Sequence, residues 1–184
     1  MARVGLSPAW LNRYPHELSG GQNQRVGIAR AMIMAPKLVV CDEAVSALDV
    51  SIQAQIVDLI RQLQADTGLS LLFISHDLAV VRRLSHRVMV LYLGRVVEMA
   101  DSESLYRAPR HPYTKALLSA VLTPDPRTER ARPRTLLTGD LPSPLDSRAQ
   151  LTFLKSKRID DPQAEQYRPR LIEVAPGHLV AEHD

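Results

Sequence analysis

The chain has 184 residues and a formal net charge of +3, from 23 basic and 20 acidic side chains. This length can bury a sizeable core, and the 45% share of hydrophobic residues is that of an ordinary soluble protein. The charge excess is too small to indicate a nucleic-acid partner. The single cysteine, Cys41, excludes a disulfide framework and a cysteine metal cluster, and no apolar run is as long as a membrane span.

The distribution of prolines divides the chain. Ten of the 13 prolines lie beyond position 100, so we expect a compact α/β part up to about residue 100 and a less regular extension after it. Within the first 17 residues, Ser7-Pro8 predicts a helix start and Pro15 predicts its end. We expect this segment to be the end of a helical unit, because it has too few apolar residues to pack alone.

The sequence Leu-Ser-Gly-Gly-Gln at 18–22 predicts a loop that opens a helix. Ser19 and Gln22 have the spacing of a capping box. Gly20 and Gly21 carry no side chains, so a phosphate could approach the backbone N–H groups at the positive end of the helix. An ordinary glycine-containing helix cap is the alternative for these five residues taken alone.

Two wholly apolar runs predict strands of a parallel sheet. The helix from residue 19 should end near residue 35, and the first run, 38–41, follows. A second helix, closed by Gly68, separates it from the second run at 69–74. Because neither run alternates with polar residues, both strands are expected to be buried on both faces.

Polar residues follow both strands. Asp42 and Glu43 come directly after the first, and Ser75, His76 and Asp77 after the second. The carboxyl ends of parallel strands share one sheet edge, so we expect Glu43 and His76 to lie close together. One carboxylate could hold Mg²⁺, directly or through water, while the other polarises a water molecule. An acidic loop and a structural histidine are the alternatives.

The pattern after the second strand predicts a structural hairpin about Gly94 and two helices, over 101–106 and 112–121. Including this hairpin, the order of motifs closely resembles the C-terminal half of the nucleotide-binding subunit of ATP-binding cassette (ABC) transporters. The resemblance implies an α/β class: a partial P-loop NTPase fold with a parallel-sheet core and helices, lacking the N-terminal Walker A half, plus a proline-rich C-terminal extension.

The same resemblance implies three regions and a set of site residues. Residues 1–36 are the end of the helical subdomain with the signature motif, 37–100 the C-terminal part of the ATPase core, and 101–184 the extension. The catalytic pair is Glu43, which polarises the attacking water, and His76, which senses the γ-phosphate. Asp42 matches the Walker B aspartate associated with Mg²⁺. The residues implied in binding ATP are Ser19, Gly20, Gly21 and Gln22 of the signature, Asp42, and Asp49 of the D-loop at 46–49.

Further motifs resemble the subgroup that serves dipeptide, oligopeptide and nickel importers. They are Arg-Tyr-Pro-His-Glu at 13–17, His-Pro-Tyr-Thr at 111–114, Gly-Asp-Leu-Pro-Ser-Pro at 139–144 and Ala-Pro-Gly-His at 175–178. Many relatives carry several cysteines within the segment that corresponds to 147–167, where they can hold an iron–sulfur cluster. This chain has no cysteine there, so we predict no cluster.

No Gly-Lys-Ser/Thr loop occurs in the sequence, and the adenine-stacking aromatic residue and the Q-loop glutamine of the family are missing too. In the family, each ATP is held between the Walker motifs of one subunit and the signature of the other. We therefore expect ATP and Mg²⁺ to require a partner subunit or the N-terminal half, and unassisted ATPase activity to be negligible. The implied partners are a second ABC ATPase subunit (homo- or heterodimer), membrane permease subunits and, indirectly, a solute-binding protein. The implied location is the cytoplasmic face of the cell membrane.

Three functions remain open on the sequence. The chain could belong to an importer ATPase that energises the uptake of peptides or a related solute such as nickel. It could be a non-hydrolysing interaction module that supplies its signature loop to a complete ATPase. It could also be an inert fragment. The core sheet of the family uses strands from the missing half, so we further expect an exposed apolar sheet edge and a tendency to aggregate.

Overall fold

The computed structural model describes most of the chain as two compact units, Met1–Leu84 (unit 1) and Ser85–Asp184 (unit 2). The described residues are 1–121, 142–143, 145–146, 148–160 and 163–184. The predicted motif at 139–144 and the cysteine-free segment at 147–167 therefore lie partly outside the described residues. The predicted division into 1–36, 37–100 and 101–184 stays a prediction.

Unit 1 alternates helices and strands after three short 3-10 turns. The turns are Ala2–Val4, Pro8–Trp10 and Pro15–Glu17. The elements that follow are α1 (Gly20–Met32), β1 (Leu38–Asp42), α2 (Val50–Thr67), β2 (Ser70–Ile74) and α3 (Leu78–Leu84). The first helix expected from Ser7-Pro8 is only a 3-10 turn, and Pro15 begins a further turn. The other four predictions are confirmed to within a few residues.

The strands β1 and β2 pair in parallel, with Leu38 opposite Ser70 and Asp42 opposite Ile74. One face, which carries Phe73, packs against the helices. The expectation that both faces are buried is wrong, because the opposite face is about half exposed. Its apolar members and their exposed fractions are Leu38 55%, Val40 56%, Leu72 46% and Ile74 47%. In the described part of the chain this sheet has only these two strands, so the predicted exposed apolar surface is present.

Helix α2 is the centre of unit 1 because two of its sides are buried. Ile56, Val57 and Ile60 pack into a core cluster with residues of α3 and the β1–α2 loop. Leu59 and Leu63 pack with Val4, Leu6 and partly buried residues of α1 and the N-terminal turns. The N-terminal segment, which the sequence predicts to be unable to pack alone, is therefore held against α1 and α2.

Unit 2 is built on a four-stranded antiparallel sheet. Its elements are β3 (Arg87–Tyr92), β4 (Arg95–Asp101), α4 (Ser102–Arg107), α5 (Pro112–Ala120), a 3-10 turn (Ala149–Leu151), α6 (Lys155–Asp160), β5 (Leu171–Ala175) and β6 (His178–Ala181). The strand order is β3-β4-β6-β5. The hairpin and both helices were predicted, whereas the two C-terminal strands were not. Within the described ranges, every helix is too short or too polar to cross a bilayer.

A buried carboxylate joins three segments of unit 2. Glu98 of β4 is fully buried, and its oxygens accept hydrogen bonds from the N–H groups of Arg110 (2.8 Å) and His111 (2.9 Å) at the start of α5. The ring of His178 in β6 lies 2.7 Å from the same carboxylate. Buried charges require such partners. This cluster therefore fixes both α5 and β6 to β4.

Burial raises the pKa of Glu98, but the polar groups around the carboxylate outweigh this effect and hold the pKa below its ordinary value. The hydroxyl of Thr114 contributes most to the lowering, although it is buried without forming a hydrogen bond of full geometry. The N–H groups of Arg110 and His111 and the ring of His178 contribute the rest. Glu98 is therefore ionised at neutral pH inside the unit.

Candidate functional site

The loop at 18–22 is a capping box. Ser19 takes an extended conformation, and its hydroxyl oxygen accepts a hydrogen bond from the N–H of Gln22 at 3.3 Å. In return, the side-chain oxygen of Gln22 accepts from the N–H of Ser19 at 2.9 Å. Helix α1 begins at Gly20 as a result. The predicted cap is confirmed.

The capping box leaves donors available to a ligand. Helix geometry does not pair the N–H groups of Gly20 and Gly21, which belong to the first turn. Ser19 and Gly20 are exposed, so solvent reaches this end of the helix. The side chain of Asn23 donates to the carbonyls of Pro15 (2.9 Å) and Leu18 (3.3 Å), which fixes the approach to the loop. Such a helix start suits an oxygen anion such as a phosphate.

Glu43 occupies an unusual backbone conformation immediately after β1. Its φ is +46°, a region that non-glycine residues rarely adopt. Three hydrogen bonds hold it there: its N–H donates to the carbonyl of Ile74 at 2.9 Å, and its own carbonyl accepts from the hydroxyl and the N–H of Ser46 at 2.9 and 3.2 Å. Backbone strain of about 1 kcal/mol or more often accompanies a functional side chain.

Glu43 and His76 meet at the carboxyl ends of the two parallel strands, as their positions predict. The Nδ1 atom of His76 lies 3.0 Å from Oε1 of Glu43. Both side chains are largely open to solvent, with exposed fractions of 71% and 54%. An exposed pair of this kind adds little to stability, about 0–1 kcal/mol. The position of the pair therefore matters more for chemistry than for folding.

The segment that carries His76 is fixed from behind by Asp77. One carboxylate oxygen of Asp77 accepts from the N–H groups of Ala79 and Val80 and so caps α3. The other accepts from the side chain of Gln53 in α2 at 3.0 Å. The sequence did not single out Gln53, because a glutamine on a helix surface carries no signal until its partner 24 residues away is known.

Asp49 starts α2 in the same way that Ser19 starts α1. Its carboxylate accepts from the hydroxyl of Ser51 at 2.6 Å and from the N–H of Ile52 at 2.9 Å. The Ser51 hydroxyl, and after it the Ile52 N–H, lower the pKa of Asp49 below its ordinary value. Asp49 is exposed. In this structure it is a helix cap, and its implied role toward ATP stays a prediction.

Asp42 and Glu43 lie beside a cavity of about 330 Å³, which is also lined by Gln24 and Gly27 of α1. Two adjacent carboxylates suit Mg²⁺, which binds through one or two carboxylates and completes its shell with water and substrate phosphates. No group of three or more histidine, cysteine or acidic side chains that could enclose a metal occurs among the described residues. The donor set thus fits Mg²⁺ that arrives with a nucleotide, and Asp42 would hold it.

The structure groups the predicted site residues into two sets. Glu43 and His76 contact each other at the sheet edge. Gly20 and Gly21 lie against Leu48 and Ile52, at the start of α2. Among the described residues, no hydrogen bond joins one set to the other.

A capped glycine loop, an acidic strand end and a strand-end histidine, in this order, define an ATP-binding protein of the ABC transporter class. Residues 1–46 match the family described as ABC transporter. Residues 97–149 match the family described as oligopeptide/dipeptide transporter, C-terminal region. The chain belongs to the ABC transporter family, and it carries the C-terminal region of the oligopeptide/dipeptide branch.

Similar proteins share both regions. The chain is 57% identical to the oligopeptide transport ATP-binding protein OppF of Salmonella typhimurium, over 98% of this chain and 54% of that protein. It is 51% identical to OppF of Haemophilus influenzae, over 98% of this chain and 54% of that protein. The chain spans about half the length of the curated relatives it matches.

A solved structure supports the fold class. The ADP conformation of MJ1267, an ATP-binding cassette of an ABC transporter, aligns with a TM-score of 0.53 and 26% identity. The alignment covers 59% of this chain and 43% of that chain. The predicted class, a partial ABC ATPase fold with a parallel-sheet core and helices, is confirmed.

Proposed function

We propose that this chain is the signature-bearing part of an ATP-binding subunit in an oligopeptide importer, and that its signature loop acts on ATP held by another subunit. The observation that carries the proposal is the capping box of Ser19 and Gln22, which presents the N–H groups of Gly20 and Gly21 to solvent. The peptide assignment is supported by the names of the relatives and by the match over residues 97–149.

In this proposal, the signature loop stabilises negative charge on the terminal phosphate of the partner's ATP. The N–H groups of Gly20 and Gly21 donate to phosphate oxygens at the positive end of α1. The Ser19 oxygen already accepts from Gln22, so its hydroxyl proton remains to donate to the phosphate. Phosphoryl transfer depends mainly on such positioning and charge stabilisation.

Glu43 and His76 supply the second half of the proposed chemistry when a phosphate cradle faces the sheet edge. The carboxylate of Glu43 accepts a proton of the attacking water and orients it in line with the terminal phosphate. His76, 3.0 Å away, holds that carboxylate through one ring nitrogen and presents the other to the phosphate. Bound Mg²⁺, held by Asp42, supplies neutralisation of phosphate charge.

The missing Gly-Lys-Ser/Thr loop favours a second candidate, in which the chain supplies its signature loop without hydrolysing ATP itself. We expect a second ATP-binding subunit as the direct partner in both cases. Permease subunits, a solute-binding protein and a location on the cytoplasmic membrane face belong to the proposal as well. An inert chain would form none of these contacts.

The test is the ATP turnover of a complete ATP-binding subunit co-purified with this chain. We expect Ser19→Arg to lower turnover at least tenfold, because the larger cationic side chain occupies the phosphate approach. Ser7→Arg is the matched control, since Ser7 is an exposed serine that also caps a turn, and it should leave turnover unchanged. Equal turnover in both variants would refute the role of the signature loop.

Glu43→Gln separates the two candidates. If Glu43 activates water, this variant lowers turnover of the complex; if the chain only supplies its signature loop, turnover is unchanged. The 184-residue chain alone should hydrolyse Mg-ATP at a negligible rate. Hydrolysis by the chain alone that Glu43→Gln abolishes would contradict the proposed dependence on a partner.

A further inference from the structure

We infer that Ile52, with support from Leu48, is a positioning residue for the signature loop: it fixes the first turn of α1 against the first turn of α2. The inference rests on the proposed function, because it concerns how the loop is held in place for a phosphate. It assigns a function to two aliphatic residues that lie outside the signature motif itself.

The contact with Gly21 leaves no room for a side chain. A Cβ atom added to Gly21 would lie 2.5 Å from Cγ2 of Ile52, whereas ordinary contacts begin at about 3.4 Å. Gly21 is also the one buried residue of α1. A Cβ atom added to Gly20 would lie 3.4 Å from Cδ2 of Leu48, which is close but tolerable. Gly21 therefore allows α1 and α2 to approach each other.

Arg25 continues the same seam one turn further along both helices. Its guanidinium donates to the carbonyl of Val4 at 2.8 Å and to the side chain of Gln55 at 3.4 Å. Gly21 and Arg25 are four residues apart, and Ile52 and Gln55 are three apart, so each pair lies on one helix face. The seam thus consists of an aliphatic contact at the helix starts and a polar contact behind it.

Ile52 links the two caps because it contributes to both. Its N–H donates to the carboxylate of Asp49 at 2.9 Å, which caps α2. Its side chain packs on Gly21, which lies within the capping box of Ser19 and Gln22. The position of the D-loop aspartate relative to the signature serine is therefore set largely by one side chain.

The expected effect of disturbing this contact is large. Alanine at position 21 requires the two helix starts to separate by about 1 Å, and a misplacement of that size costs about 100-fold in rate when it affects a reacting group. We expect Gly21→Ala to lower turnover of the partner complex at least tenfold. Gly27→Ala is the matched control, because a Cβ atom added to Gly27 meets nothing within 4 Å.

A compensating substitution gives the decisive test. Ile52→Ala removes Cγ2 and leaves the Cβ atom, which lies 3.8 Å from a Cβ atom added to Gly21. The double variant Gly21→Ala/Ile52→Ala should therefore recover turnover to within about threefold of the wild-type chain. Ile52→Ala alone should speed amide hydrogen exchange at residues 20–22, whereas Val50→Ala, at an 82% exposed position, should not.

The outcomes separate this inference from the proposed function. If Ser19→Arg lowers turnover but the effects of Gly21→Ala and Ile52→Ala simply add, the positioning role of Ile52 is wrong and the proposed function stands. If Ser19→Arg has no effect, the proposed function is wrong, and hydrogen exchange at residues 20–22 still decides the contact. Should Gly21→Ala fail to fold, unchanged exchange in Ile52→Ala overturns the inference, and faster exchange supports it.

Discussion

Replacement of Glu98 by alanine should destabilise unit 2 more than any other single removal of a carboxylate. The change removes the acceptor of three buried donors, namely the N–H groups of Arg110 and His111 and the ring of His178. Each buried donor left without an acceptor costs about 1–3 kcal/mol. Because such losses are not additive, we expect about 4 kcal/mol in total, which agrees with the cost of breaking a buried ion pair.

The assay is amide hydrogen exchange at the β4–β6 pairing, combined with denaturant unfolding followed by circular dichroism. Exchange is preferred as a local measurement, since the only tryptophan, Trp10, lies in unit 1. Exchange at the paired residues Glu98 and Val180 should accelerate by about three powers of ten, the equivalent of 4 kcal/mol. Glu98→Gln retains one acceptor oxygen and should show a smaller loss, about 1–3 kcal/mol.

The matched control is Glu103→Ala. The Glu103 carboxylate forms an exposed ion pair with Arg107 on α4, and the side chain of Glu103 is 76% exposed. Its removal should change stability by less than about 0.5 kcal/mol. If Glu98→Ala proves as harmless as Glu103→Ala, the buried carboxylate does not hold β4, α5 and β6 together.

Three further predictions follow from single groups. Burial, aided by the charges of His183 and Lys115, lowers the pKa of His111 to about 4, below the 6.5 of an unfolded chain. Its contribution to stability should be complete above pH 6.5 and lost as the pH falls toward 4, by up to about 3 kcal/mol, and His111→Asn should flatten this dependence in denaturant titrations because asparagine still caps α5. Asp49→Ala should cost about 1 kcal/mol of stability in thermal unfolding, whereas Asp66→Ala, near the end of the same helix, should cost nothing. Leu72→Lys, on the exposed face of the two-stranded sheet, should reduce light scattering on concentration without lowering stability; unchanged scattering would show that this face does not drive association.

Much of the site could be predicted because its determinants are local. The Ser19–Gln22 cap depends on four consecutive residues, and its two hydrogen bonds are the ones that the spacing requires. The contact between Glu43 and His76 needed one further assumption, that the intervening helix makes the strands parallel. The positive φ of Glu43 could not be foreseen, since it depends on hydrogen bonds to Ser46 and Ile74.

The features that were missed depend on distant residues. Apolar runs at 38–41 and 69–74 indicate burial on both faces, but how much of each face is covered depends on neighbouring elements that a strand pattern does not encode. Glu98 and His178 are 80 residues apart, and neither residue type predicts burial. The contact of Ile52 with Gly21 was hidden because Ile52 has the spacing of an ordinary core position.

The place of β6 between β4 and β5 has a consequence for synthesis on the ribosome. His178 is made 80 residues after Glu98, which corresponds to roughly 4–16 s at about 5–20 residues per second. During that interval the nascent hairpin of β3 and β4 has an open edge, and an isolated two-stranded hairpin is at best marginally stable. Unit 2 therefore gains its cooperative structure only as translation ends. A chain that stops before β6 would present an unpaired strand to proteases and to other chains.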